Sequence, residues 1–149
     1  MLVLELFTVK NYHINNLKER SFLMREDFSE YTKVEKIAKK FIEAVKNGNS
    51  KIVEPYFHKD AVIFGQLNKD ITQEGTIQMF YEGIDKAGAC GNDYVGRIDI
   101  MAIEKTIAIV RIIEDNWHGY NFTDFLTLAK LNGEWKIVAK AYDTLSYQE

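Results

Sequence analysis

The chain has 149 residues, 46% of them hydrophobic, with a single proline, which is enough for one compact domain with a sizeable core and too little for two. Its formal net charge of −3 argues against a sequence-independent grip on nucleic acid, which needs a basic face. Cys90 is the single cysteine, so no intrachain disulfide forms, and His13, His58 and His118 fall in no zinc-ligand spacing. No apolar run approaches the roughly 20 residues of a membrane span. No metal, organic cofactor, nucleic acid or membrane is therefore expected, and a reducing cytoplasm is the expected home.

Residues 1–31 read as an extension. Met1 to Val9 has a strand-like apolar pattern but carries Glu5 and no basic start, which makes a poor export signal. Two readings stay open. The segment is an ordered element docking on the domain, or translation starts at Met24, because Lys18-Glu19-Arg20 can be encoded by a purine-rich, ribosome-binding-like stretch just upstream. The domain proper is expected over residues 32–149.

Thr32 and Glu35 form a capping-box pattern, and Val34, Ile37, Ala38, Phe41, Ile42 and Val45 recur at helical spacing, predicting a helix with one buried face that ends at Asn47-Gly48. A short second helix is expected to turn Ile52, Val53, Tyr56 and Phe57 inward, with Pro55 in its first turn, followed by a strand over Ala61 to Phe64. Gly65 to Gly75 reads as a polar loop. Thr76 then caps a third helix that presents Ile77, Phe80, Tyr81 and Ile84 and stops near Gly88. The glycines from Gly88 to Gly91 have no phosphate-binding spacing and read as a loop.

Beyond Asp93 the pattern alternates with period two. Tyr94 to Glu104 and Ile107 to Asn116 read as strands, and His118-Gly119 and Asn132-Gly133 as two-residue hairpin turns that make Trp117 to Leu145 a meander. Counting inward from those turns sets Ile113 and Ala141 beside Asp124. One face then collects Ile98, Ile100, Ile109, Arg111, Ile113, Phe122, Asp124, Leu126, Leu128 and Ile137, apolar except for Arg111 and Asp124. The other collects Val110, Ile112, Phe125, Lys140 and Tyr142, a half-apolar surface that suggests a homodimer through Val110, Ile112, Phe125 and Tyr142.

The run Asn121 to Val138, ending on Gly-Glu-Trp-Lys-Ile-Val, together with Tyr56-Phe-His-Lys-Asp-Ala61, resembles the nuclear transport factor 2-like superfamily, in its SnoaL-like or lumazine-binding-like branch. The resemblance covers Val34 to Leu145. It implies an α+β, cystatin-like cone: three N-terminal helices packed on a strongly bent antiparallel sheet with a pocket at the open end, commonly as a homodimer. In the superfamily's cyclases and isomerases a carboxylate in an apolar pocket removes a proton next to a carbonyl while a donor stabilises the enolate.

Asp124 is the candidate base here, and His58, Tyr56, Tyr120 or Tyr142 the candidate donor. The ligand-contact set is Arg111, Asp124, His58, Tyr56, Phe80, Phe122 and Ile113. Arg111 and Asp124 on neighbouring strands are most simply a buried or half-buried ion pair, and a histidine placed as His58 is more often one that caps a turn or bonds a backbone carbonyl. Trp117 and His118 sit at a hairpin tip, either closing over a ligand or packing on their own strands. Three roles follow: a module binding an apolar or aromatic metabolite, a cofactor-independent isomerase, cyclase or dehydratase on Asp124 and His58, or a dimerising interaction protein with a filled pocket.

Overall fold

The computed structural model describes residues 28–147; the two readings of the N-terminal extension, with Met24, lie outside the described residues. Helix α1 spans 28–47 and buries Val34, Ile37, Ala38, Phe41, Ala44 and Val45, as the periodicity predicts. It begins before Thr32, so Thr32 does not cap it. Instead the Thr32 hydroxyl donates back to the carbonyl of Phe28 at 3.2 Å, within the helix.

The expected second helix is two 3₁₀ turns, Ser50–Ile52 and Glu54–Tyr56, because Pro55 in so short a segment leaves no room for a full α-turn. Strand β1 (Phe57–Gln66) is longer than predicted, and β2 (Thr72–Thr76) pairs with it inside what reads as a polar loop. No residue of β2 is buried, which is why its sequence carries no apolar alternation. Helix α2 (Gln78–Ala87) buries Phe80, Tyr81 and Ile84, but Thr76 does not cap it: the Ile77 N–H instead donates to the Ala61 carbonyl at 2.9 Å and ties the helix start to β1.

Four long strands follow: β3 (Val95–Ile103), β4 (Ile107–Trp117), β5 (Tyr120–Leu131) and β6 (Glu134–Tyr147). The six-stranded sheet has the order β2-β1-β6-β5-β4-β3, antiparallel throughout except for the parallel pair β1–β6. Its concave face packs on α1 and α2, where Phe41 and Phe80 stack at 5.0 Å. This is the expected α+β cone, with two α-helices and a pair of 3₁₀ turns in place of three helices. Among the described residues no helix is long and apolar enough to cross a membrane.

Both hairpin turns are where the sequence puts them, with Trp117 opposite Tyr120 and Leu131 opposite Glu134. Between turn and sheet centre, however, each pair gains a bulge. On β4 one extra residue lies between Glu114 and Trp117, with Asn116 at φ +60°, and on β6 Val138 is extra between Ile137 and Ala139. Asp124 therefore faces Ile112 and Tyr142, not Ile113 and Ala141.

A one-residue slip turns every side chain of a strand to the opposite face. Val110, Ile112 and Glu114 are wholly buried against the helices, and Lys140 and Tyr142 join them inside. Arg111 and Ile113 move to the convex side. The interface expected through Val110, Ile112, Phe125 and Tyr142 is thus corrected: of those four only Phe125, at 41% exposure, stands on the outer face.

Candidate functional site

The site is built on the central strands β5 and β6. Lys140 pairs with Leu126 and so lies diagonally from Asp124, close enough for its Nζ to donate to Asp124 Oδ1 in an ion pair that is almost completely buried, at 3% and 0% side-chain exposure. Three rings surround the ammonium, with centroids at 4.4 Å (Tyr142), 5.0 Å (Phe80) and 5.8 Å (Phe41). Negative ring faces favour a cation there and keep water away from it.

Behind the pair stands a second buried acid. Glu114, diagonal to Asp124 on β4, accepts a hydrogen bond from the Tyr94 hydroxyl through Oε1 at 2.6 Å. Its Oε2 and Asp124 Oδ2 are both buried without a hydrogen-bond partner from any other group among the described residues. Burial above all, and then the adjacent Asp124 carboxylate, push the Glu114 carboxyl well above its usual range, against the smaller pull of Tyr94 and Lys140. A protonated Glu114 donating to Asp124 satisfies both orphan oxygens at once and leaves the three charged groups neutral in sum. Tyr94 is held protonated by its own burial and by Glu114.

Above Lys140 opens a cavity of about 200 Å³ between α2 and the β4–β5 hairpin. Its walls are Ile63 from β1, Met79 and Phe80 from α2, Trp117, Tyr120 and Phe122 from the hairpin, and Tyr142 from β6. The aromatic rings brace one another edge to face, Phe80 to Trp117 at 6.3 Å, Trp117 to Phe122 at 5.6 Å and Phe122 to Tyr142 at 5.7 Å. Polar groups are few. The Tyr142 hydroxyl donates to Gln73 Oε1 at 2.6 Å, and His118 Nε2 lies 3.2 Å from the Gly88 carbonyl, pinning the hairpin tip to the end of α2. Burial pushes the Tyr142 hydroxyl up to about 12, with the Asp124 carboxylate as the second cause. The Trp117 indole N–H is buried and has no acceptor among the described residues.

Of the residues singled out in the sequence, Phe80 and Phe122 line this cavity, and so do Tyr120 and Tyr142. Asp124 lies one layer deeper, behind Lys140. Arg111 is not its partner: the bulge on β4 turns Arg111 to the outer face, where Nη2 pairs with Asp99 Oδ2 at 2.7 Å. Ile113 turns outward with it.

His58 and Tyr56 are also away from the cavity. The His58 Nδ1 accepts from the Asp60 backbone N–H at 3.1 Å, the turn-capping role, and Tyr56 lines a separate shallow groove with Trp135 and Lys136. Sequence reasoning misses Lys140 and Glu114, which the uncorrected register sends to the wrong side. For Glu114 the one signal in the residues is Asn116, tolerant of positive φ just before the strand ends; the Val138 bulge that turns Lys140 inward carries none. Among the described residues no group of three or more His, Cys, Asp or Glu is placed to hold a metal ion, and Cys90 is a poor nucleophile, its thiol pushed up to about 11 by burial and by Glu114.

Comparison with known proteins agrees with this architecture. Over 115 residues the chain is 32% identical to "Aldolase FrzH" from Cladobotryum sp., a match spanning 76% of this chain and 90% of that protein. An NTF2-like protein of unknown function from Shewanella baltica superposes with a TM-score of 0.74 at 32% identity, covering 80% of this chain and 96% of its own. A second NTF2-like protein of unknown function, from Methylobacillus flagellatus, gives a TM-score of 0.73 at 28% identity over 79% of this chain and 94% of its own. The nuclear transport factor 2-like cone expected from Asn121 to Val138 is thus the fold of this chain. The sequence model of one family within that superfamily matches residues 29–143, and the chain belongs to that family, described as "Putative lumazine-binding".

Proposed function

We propose that the cavity binds a small, ring-bearing carbonyl compound and that the protein polarises that carbonyl and so acidifies the carbon beside it. This is the step common to isomerisation, dehydration and aldol-type making or breaking of a carbon–carbon bond. The observation that carries the reading is the placement of donors in an otherwise apolar chamber. Among the described residues Lys140 has one hydrogen-bond partner for its three ammonium protons. Aromatic walls favour a flat ring, while unspent donors favour an oxygen acceptor on it. An ammonium fixed at that oxygen, in a chamber that excludes water, stabilises the negative charge of an enolate more than that of the neutral ketone.

The name of the 32%-identical fungal relative, an aldolase, supports carbonyl chemistry, and the family's name supports a flat heterocyclic ligand. Asp124 serves this reading from behind, as the anion that holds Lys140 in place. We place the activity in the cytoplasm, where the free thiol of Cys90 stays reduced.

The test uses 1-tetralone and its oxygen-free counterpart tetralin, followed by tryptophan fluorescence. The ketone is expected to bind about tenfold or more tightly than the hydrocarbon, the worth of one hydrogen bond to a charged donor, and to exchange its C2 hydrogens for deuterium in heavy water faster with protein than without. Equal affinity for both compounds would refute the carbonyl reading. Tight binding of the ketone with no exchange would leave a carrier instead of an enzyme.

A further inference from the structure

We propose that Lys140 is itself the nucleophile, its Nζ condensing with an aldehyde or ketone in the cavity to form an imine; this deepens, and rests on, the carbonyl-binding reading above. The first argument is what the chamber lacks. Among the described residues none that lines it is Ser, Thr, Cys, Asp or Glu, the Tyr142 hydroxyl and Gln73 are bonded to each other, and His118 is held at the mouth by Gly88. Asp124 has no exposed surface at all. A carboxylate base working directly on a substrate carbon is therefore absent from the wall, and the reactive group at the floor is an amine. An iminium does what that base would otherwise need help to do, since its positive nitrogen draws electrons from the neighbouring C–H bond.

The second argument is the proton acceptor. The ammonium hands one proton to Asp124, to which it is already bonded. The freed lone pair of the nitrogen then adds to the carbonyl carbon as the C=O π pair moves onto oxygen. That oxygen takes two protons from the nitrogen, which recovers the first of them from Asp124, and leaves as water. The product is the protonated imine, and Asp124 ends as the carboxylate it was at the start. Ammonium with carboxylate and amine with carboxylic acid carry the same net charge, and in a buried, low-dielectric setting the cost of desolvating two ions narrows the gap between them. The rings of Tyr142 and Phe80 within 5.0 Å of the nitrogen keep bulk water from hydrolysing the product.

The test is reductive trapping. The full-length protein is incubated with benzaldehyde and cyanoborohydride, digested, and the benzylated lysines are identified and timed by mass spectrometry. Lys140 is expected to be benzylated despite its burial, alongside Lys59, the side chain 82% exposed on the surface. Benzyl alcohol, the same ring without a carbonyl, is expected to protect Lys140 and not Lys59. Labelling confined to exposed lysines, in protein that binds 1-tetralone saturably, would overturn the imine while leaving the carbonyl pocket standing. Failure of both labelling and ketone binding would overturn both. Because the readout is on the unaltered chain, it does not depend on a Lys140 variant that folds.

Discussion

Glu114 and Asp124 sit diagonally across the β4–β5 pair, each wholly buried, and each with one oxygen that no other group among the described residues satisfies. Two carboxyl groups so placed cannot both be ionised beside a single ammonium without leaving a net negative charge in the core. Glu114 is the member that keeps its proton.

The Glu114→Gln variant reproduces that state, its amide donating to Asp124 and its carbonyl accepting from Tyr94. It is expected to fold with stability close to the parent, whereas Glu114→Leu, which strands the Tyr94 hydroxyl and Asp124 Oδ2, costs about 1–3 kcal/mol. The sign of the pH dependence follows from a folded-state value raised above the ordinary 4.5. Folded protein holds that proton more tightly than unfolded protein, so this contribution is fully present below 4.5 and is lost as the pH climbs through the raised value. Urea unfolding across the pH range is expected to show that decline in the parent and not in Glu114→Gln.

Lys140→Met is expected to cost about 3–5 kcal/mol, because it leaves the Asp124 carboxylate buried without its counter-ion. The double change Lys140→Met with Asp124→Leu removes the stranded charge and is expected to recover most of that loss. A double-mutant cycle from urea unfolding checks it. Independent, additive losses would mean that the two side chains do not act as a pair.

At the other end of α1, Glu30 ties the helix to the sheet through the Trp135 indole N–H and through Lys130 at 3.0 Å. Its hydrogen bond with Lys33, together with those to Trp135 and Lys130, holds its carboxyl at about 2. A depressed value means that the stabilisation is present above the unfolded 4.5 and disappears as the pH falls from there through about 2. Glu30→Gln is expected to destabilise the protein at neutral pH by about 1–2 kcal/mol and to flatten the acid limb of its pH–stability curve, followed by circular dichroism.

Gly65 pairs with Tyr142 across the parallel β1–β6 ladder, and a Cβ placed there would lie 2.4 Å from the Tyr142 ring. Gly65→Ala must displace that ring, which is both a wall of the cavity and the nearest face to the Lys140 ammonium. A loss of about 1–3 kcal/mol is expected, with weaker binding of 1-tetralone by tryptophan fluorescence. Unchanged ketone affinity would remove Tyr142 from the binding wall.

The register offers a direct check of which face is which. Ile112→Arg places a charge in the core and is expected to prevent folding, while Phe125→Arg on the outer face is expected to leave thermal stability within about 0.5 kcal/mol of the parent.

Much of this architecture was legible in the residues, and the exceptions have one physical origin. Period-3.6 spacing located α1 and α2 through Val34, Phe41, Phe80 and Ile84, and the His118-Gly119 and Asn132-Gly133 pairs located both hairpins to the residue. Alternation on β5 correctly turned Phe122, Asp124, Leu126 and Leu128 inward. Alternation alone cannot tell which neighbours they meet, because a bulge leaves the hydrophobic pattern of the strand before and after it intact and only changes its phase. Val110, Ile112 and Val138 are apolar enough to read as either side, so nothing in composition flagged the shift. Thus Asp124 was found, while its partner was sought in Arg111 instead of Lys140.

The two bulges also act as a selector. β4 and β6 each carry two alternating sets of side chains, and a single extra residue near each turn decides which set is delivered to the chamber. Were the extra residue near Asn116 paired with β5, Arg111 and Ile113 would face inward in place of Ile112 and Glu114; were Val138 paired, the chamber would receive Ala139 and Ala141 in place of Lys140 and Tyr142. A one-residue shift of pairing at either position would thus exchange one complete polar lining for another without altering a side chain, a route by which a single scaffold could change its chemistry in one step.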